Sequence, residues 1–288
     1  MRYKFDFKWG TRGTEFGQFD EPSGIALDSL GNVFVSDRRN HRIQKFRQDS
    51  TFIKAWGGNG SGDGQFKFPF GVAVDSRGNV YVADTDNNRI QKFNNDGTFI
   101  RKWPVFVPRG IAVDSSANVY VADANKHSID KFNTIGTFIR TWGGNGSGDG
   151  QFKVPFGVAV DSSSNVYVAD SGNHRVQKFG SNGNFIRTWG QLGEADGQFK
   201  FPMGIAVDSD ANVFVGDAPI HRIQKFQNNG NFITKWETPA ISHPDERHAL
   251  AIKSSNISFL EERVFVADAI DNSIQVYRPD IVVHEKQA

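Results

Sequence analysis

Six tryptophans, Trp9, Trp56, Trp103, Trp142, Trp189 and Trp236, follow one another at intervals of 47, 47, 39, 47 and 47 residues. Self-similarity at a period in the forties is the mark of an array of supersecondary units, each too small to bury its own apolar face. Aligned on the tryptophans, the second unit reads FPFGVAVDSRGNVYVADTDNNRIQKFNNDGTFIRKW and the fourth VPFGVAVDSSSNVYVADSGNHRVQKFGSNGNFIRTW. Four segments recur: G-[IV]-A-[VL]-D, N-V-[FY]-V, R-[IV]-Q-K-F and F-I-x-x-W. Each is a short β-rich run bounded by Gly, Asn, Asp or Ser turn clusters. Four antiparallel strands per unit at this period predict a β-propeller.

The register within the units is strict. An aspartate ends the second strand at Asp37, Asp84, Asp123, Asp170, Asp217 and Asp268, and in the first five units a tryptophan follows 19 residues later. From tryptophan to the proline that opens the next unit the gap is 13 residues, except for the 5 between Trp103 and Pro108. The interval of 39 is therefore one shortened connector between intact units. The sixth unit runs from Ile274-Gln275-Val276-Tyr277 into Arg278-Pro279 with no tryptophan strand after it. The missing strand is found at the other end of the chain, as Tyr3 to Trp9, and pairing the two ends removes an exposed sheet edge. The expectation is one all-β domain over 1–288, a closed six-bladed propeller with blades near 20–57, 66–103, 106–143, 152–190, 199–236, and 247–277 plus 3–10. Residues 57–76 and 143–162 differ at one position and lie 86 apart, two blades, which points to amplification of a two-blade unit.

Composition agrees. Five leucines against 26 phenylalanines and 30 glycines do not build a sizeable helical domain. Lys plus Arg number 33 and Asp plus Glu 32, so no strong field advertises DNA or an acidic membrane. There is no cysteine, hence no disulfide or thiolate chemistry. No apolar run approaches a membrane span, and the charged start MRYKFDFKWG does not read as a secretory signal. A soluble protein without membrane insertion is expected, with its compartment unassigned.

In a propeller the first strand of each blade lines the axis, and the turns fall on two faces. The turns opened by Asp28, Asp75, Asp114, Asp161 and Asp208 occupy one face and read as local turn chemistry. The opposite face carries the variable positions. One ring, the residue before each first strand, holds Ser23, Phe70, Arg109, Phe156, Met203 and His248 and should surround the channel mouth. A second ring comes from the turns after the second strand, among them Arg38-Arg39-Asn40-His41 and Ala124-Asn125-Lys126-His127. The shortened connector before Arg109 should lower the rim there and open access to that residue.

N-H-R-I-Q-K-F at 40–46, N-H-R-V-Q-K-F at 173–179 and I-H-R-I-Q-K-F at 220–226, each after a V-x-D strand, resemble NHL repeats, named for Asn-His-Leu residues of this region. The resemblance runs from residue 3 to 277 and has Arg where the name implies Leu. It specifies the fold and leaves function open, because the fold hosts unrelated activities. His41, His127, His174 and His221 repeat once per blade, so they diverge around a ring instead of converging as metal ligands must; a turn role is expected. Arg42, Arg89, Arg175 and Arg222 should pair with repeat aspartates such as Asp37 or Asp84.

Enzymes that resemble the family set further expectations. Peptidyl-hydroxyglycine amidating lyases place three zinc-binding histidines at the P-x-G position of alternate blades; here only His248 matches. Calcium-dependent lactonases need clustered Glu, Asn and Asp oxygens over the channel, which two Phe, a Met and an Arg do not supply. The glycine-rich stretches at 57–66 and 143–152 lack the ending of a phosphate loop and read as blade connectors. Some animal NHL domains resemble this chain and bind RNA on the same face, with Arg38, Arg39, Arg109, Lys126, His127 and Arg247 as phosphate contacts and Phe70 and Phe156 as stacking platforms. Acidic connector residues such as Glu21 and Asp63 make that face mixed in charge. The sequence thus points to a non-enzymatic, monomeric binding or scaffold module for a peptide, protein or saccharide. Its expected contacts are Ser23, Phe70, Arg109, Phe156, Met203, His248, Arg38, Arg39, Lys126 and His127. No catalytic residue, metal ligand or cofactor is expected; RNA is the alternative ligand, and a metal-dependent lyase or lactonase the disfavoured third reading.

Overall fold

The computed structural model describes residues 2–238, the backbone of 248–253, and 263–280. It forms six four-stranded antiparallel sheets. The first five blades start at Pro22–Leu27, Pro69–Val74, Pro108–Val113, Pro155–Val160 and Pro202–Val207 and end on the tryptophan strands. The sixth consists of His248–Lys253, Arg263–Asp268, Ser273–Asp280 and, as its outer strand, Arg2–Trp9. Trp9 pairs with Ile274 and Arg2 with Asp280, with an irregularity between Phe5 and Phe7. The split blade expected from the sequence is therefore the clasp of the ring.

The packing explains why the four segments differ in composition. Second strands such as Val80–Asp84 are buried along their whole length, whereas fourth strands such as Phe138–Gly143 are mostly exposed. The core lies between blades: Phe34 and Ile43 of the first blade pack with Phe66, Val72, Val82 and Phe93 of the second. At the closing seam Phe19, Ile25 and Phe46 pack with Phe265, Ile274 and Val276. Each sheet face is covered by the next blade, so no single blade buries a core of its own.

The tryptophans belong to these seams. Trp56, Trp103, Trp142 and Trp189 each lie against a turn glycine of the following blade, Gly97, Gly136, Gly183 and Gly230, where an added Cβ would come within 2.5–2.9 Å of the indole. Near the axis the glycine of P-x-G has the same purpose. A Cβ on Gly24, Gly71, Gly110 or Gly157 would sit 2.3–2.4 Å from a backbone carbonyl of the next blade's first strand. Gly110→Ala should cost roughly 3 kcal/mol, since backbone and not a flexible side chain must give way. Gly180→Ala, whose nearest such neighbour is 4.0 Å away, should stay within about 0.5 kcal/mol of wild type. Chemical denaturation of the pair checks the contrast, and equal costs would refute the close-packing account.

Candidate functional site

Residues 23–25, 70–72, 110–111, 156–158 and 203–205 of five first strands line a small central cavity of about 80 Å³. Above it Phe70, Phe156, Met203 and Ala218 form an apolar cluster, flanked by Val154 and Phe201. The Phe70 and Phe156 ring centroids are 5.9 Å apart although the residues belong to blades two and four. Arg109, from the blade between them, places its guanidinium 5.2 Å from one ring and 5.5 Å from the other. Such a cation–π arrangement is worth about 0.5–2 kcal/mol per ring.

The mouth is therefore plugged, which alters two expectations. Phe70 and Phe156 are only 8% and 7% exposed and Met203 6%, so the rings support Arg109 and leave no open face for stacking. Ser23 is buried too, with its Oγ donating to the Pro69 and Phe70 carbonyls at 3.2 Å. Arg109 itself is partly exposed. His248 pairs with Asp268 through the backbone, and its side chain lies outside the described residues, as does Arg247.

The second ring is a set of latches between blades. His41, Asn88, His127, His174, His221 and Asn272 all adopt left-handed backbone conformations, φ 49–57°. Five of the side chains reach the next blade's entry. His41 Nδ1 accepts the Phe68 N–H at 3.1 Å and His127 Nδ1 the Val154 N–H at 2.9 Å. Asn88 and Asn272 accept from Val107 and Glu21 at 2.9 Å each. His174 Nδ1 lies 2.5 Å from the Lys200 carbonyl and so donates. The turn role expected for the histidines holds, and among the described residues no group of three or more His, Cys, Asp or Glu is placed to hold a metal ion.

Desolvation holds the His41 imidazole below its ordinary pKa, partly opposed by Asp84. A depressed folded pKa gives stability that is complete above the unfolded value of about 6.5 and lost as pH falls through the folded value. His41→Asn, copying Asn88, should stay within about 1 kcal/mol of wild type at pH 7.5 and lose less thermal stability between pH 7.5 and 5. Superimposable melting profiles across that range would contradict this.

The charged side chains near this face are largely committed to one another. Arg38 pairs with Glu21 and lies 5.3 Å from the Phe68 ring, and Arg39 reaches the same carboxylate at 2.6 Å. The expected Arg–Asp pairs form as Arg42–Asp37, Arg89–Asp84, Arg175–Asp170 and Arg222–Asp217, at 2.7, 2.6, 2.7 and 3.7 Å. What the pairs hold was not evident from the sequence. The Arg89 guanidinium donates to the Ser61, Gly62 and Gln65 carbonyls of the connector at 2.8 Å each. Gln91 donates to Gln65 O at 2.6 Å and accepts the Gly64 N–H at 3.0 Å. The glycine-rich connectors are thus folded around an Arg–Asp–Gln clamp and finish on a buried phenylalanine.

A model of the NHL repeat family matches residues 19–46, 66–93 and 152–179. Each matched segment begins on a connector phenylalanine and ends on the strand phenylalanine it packs against, Phe19 on Phe46, Phe66 on Phe93 and Phe152 on Phe179, at 5.5–5.7 Å. The chain is a six-bladed β-propeller that carries NHL repeats at these three positions. A stretch of 45 residues is 47% identical to the B-box type zinc finger protein ncl-1 of Caenorhabditis elegans, covering 16% of this chain and 5% of that protein. Among solved structures, virginiamycin B lyase from Staphylococcus aureus superposes with a TM-score of 0.66 at 14% identity, covering 96% of this chain and all of the lyase. A gluconolactonase from Xanthomonas campestris gives 0.66 at 15%, covering 92% and 88%. At these identities the two enzymes share the fold alone.

The third blade departs from the others. Its short connector carries Phe106, half exposed, and opens a cleft of about 580 Å³ bounded by Trp103, Phe106, Phe132 and Phe138. The shortened loop thus opens the outer seam between blades two and three. Lys126, from the second ring, lines this cleft.

Proposed function

We propose that this NHL propeller is a non-enzymatic, monomeric binding module whose channel-mouth face contacts a peptide, protein or saccharide ligand, with Arg109 as its anchor. The observation that carries this reading is the seat of Arg109. A guanidinium held over two buried rings is fixed in place while still partly exposed, so little side-chain entropy remains to be lost on binding. Such a group suits a carboxylate, a backbone carbonyl or a sugar hydroxyl. Phe70, Phe156 and Met203 act beneath it as support. The P-x-G residues with described side chains, Ser23, Phe70, Arg109, Phe156 and Met203, are not a zinc or calcium donor set, which argues against the lyase and lactonase readings. No helix among the described residues is long and apolar enough to cross a membrane.

Two of the basic residues that an RNA ligand needs, Arg38 and Arg39, share Glu21, which favours a peptide, protein or saccharide over a polyanion. Peptide and glycan arrays probed with wild type and Arg109→Ala test the proposal: ligands that bind wild type should lose at least tenfold in affinity. Undiminished binding would place the site elsewhere. A gel shift of single-stranded RNA at low salt, abolished in Arg38→Ala/Arg39→Ala/Arg109→Ala, would instead support RNA.

A further inference from the structure

The cleft beside the third blade is where the connector clamp has been dismantled. In blades one, two, four and five the aspartate at the end of the second strand is followed by Arg and Gln at positions five and seven, and both side chains donate hydrogen bonds to it or to connector carbonyls. In the third blade these positions hold Ser128 and Asp130. The connector carbonyls are gone, the two donors are gone, and a second carboxylate has been added. The floor of the seam donates in four blades and accepts in this one.

The remaining acceptors are under-used. Asp123 is fully buried; its Oδ1 accepts the Asn125 and Lys126 N–H groups at 3.1 and 2.8 Å. Among the described residues its Oδ2 accepts no hydrogen bond and meets only the Lys126 ammonium, at 3.4 Å. Asp130 lines the cleft at 6% exposure and has no hydrogen-bond or ion-pair partner among the described residues. Two carboxylates, Asp130 on the cleft and the fully buried Asp123, have one half-exposed lysine, Lys126, to serve them, which leaves this region one cation short when both are ionised. Burying an unpaired charge costs several kcal/mol, a cost that a bound cation relieves. Burial already raises the Asp123 pKa, with Asp130 adding to the shift. The walls fit the rest of such a ligand: Phe132 has Trp103 and Phe138 as ring neighbours at 6.0 and 5.8 Å, with no connector phenylalanine against it.

We propose that this cleft binds an arginine side chain of a partner peptide, with an adjacent aromatic residue of that peptide against Phe132 and Phe138. The incoming guanidinium takes the place that Arg and Gln side chains fill in the other blades, pairing with the Asp130 carboxylate that lines the cleft, while the peptide replaces the missing connector. The site lies at the seam of blades two and three and stands independently of the channel-mouth reading.

Isothermal titration with an end-blocked glycine-arginine-glycine-phenylalanine peptide tests the proposal, with the citrulline peptide as its uncharged counterpart. The expected result is saturable binding by the arginine peptide and at least tenfold weaker binding by the citrulline peptide. Ser128→Arg/Asp130→Gln, which rebuilds the clamp from within, should abolish binding. Asp130→Asn should weaken it at least fivefold, with the melting temperature showing that both variants are folded. Binding that does not distinguish citrulline from arginine, binding unaffected in both folded variants, or no binding at millimolar peptide would each overturn the assignment.

Discussion

Deleting residues 1–9 should destroy cooperative folding of the whole ring, although the segment supplies one strand of twenty-four. Strand Arg2–Trp9 pairs with Ser273–Asp280 from end to end. Tyr3 stacks on Trp236 of the fifth blade at 4.4 Å, and Trp9 packs on Phe46 of the first and Phe265 of the sixth at 5.8 and 6.4 Å. The strand thus covers both seams of the last blade. Without it an edge strand is exposed with its ladder groups unpaired, a template for association between chains. Losing two large aromatic contacts alone corresponds to about 5 kcal/mol or more, comparable with the total stability of many domains. The expected observations are a non-cooperative or strongly lowered melting transition and oligomers by size-exclusion chromatography. Adding the peptide of residues 1–10 in trans should restore cooperativity in a concentration-dependent manner, by strand addition and mass action. A truncated protein that melts as wild type would show that the ring does not depend on its clasp.

The fold was legible because the repeat writes each structural device several times. Trp56, Gly97 and their counterparts fall in fixed register, so one blade explains the others. The sixth unit's missing strand is explained only by Tyr3 to Trp9. The Arg–Asp pairs were legible as pairs, since a recurring cation and a recurring anion at constant spacing face each other across neighbouring strands.

The channel mouth was legible only as a list of positions. Nothing in P-x-G spacing says that Phe70 and Phe156 meet across an intervening blade, or that Arg109 lies over them; side-chain direction at the top of a ring is a tertiary outcome. The third blade is the more instructive case. The eight-residue deletion before Pro108, Ser128 in the arginine column and Asp130 in the glutamine column were all visible as separate irregularities. Their connection emerges once Arg89 is seen gripping the connector carbonyls, because a blade without the connector has nothing for the arginine to hold.

That connection gives the sharpest contrast expected within the molecule: one substitution at two equivalent positions with opposite outcomes. Asp84 is buried and accepts from Lys67 N at 2.7 Å, Asn87 Nδ2 at 2.9 Å, Arg89 Nε at 2.6 Å and Gln91 Nε2 at 3.0 Å. Asp84→Asn removes the only charge that, among the described residues, pairs with the buried Arg89 guanidinium, and turns an amide donor toward three others. A loss of about 3–5 kcal/mol is expected, the usual cost of breaking a buried ion pair from one side. Among the described residues Asp123 has no Arg, Gln or Asn side-chain partner, and Asn at that position keeps an oxygen for the two backbone N–H groups. Asp123→Asn should therefore change stability at pH 7 by less than about 1 kcal/mol, in the direction of a gain. The pH dependence follows the same logic. Burial raises the folded pKa of Asp123 above its unfolded value, so its ionised form subtracts stability above the folded pKa. That penalty is relieved as pH falls through the folded pKa toward the unfolded value of about 3.9. Denaturation midpoints of wild type and Asp123→Asn should accordingly converge as pH is lowered from 7 toward 4. Equal losses at both positions would mean that the third blade's aspartate is held by partners as strong as those of Asp84, and the account of its vacated clamp would be wrong.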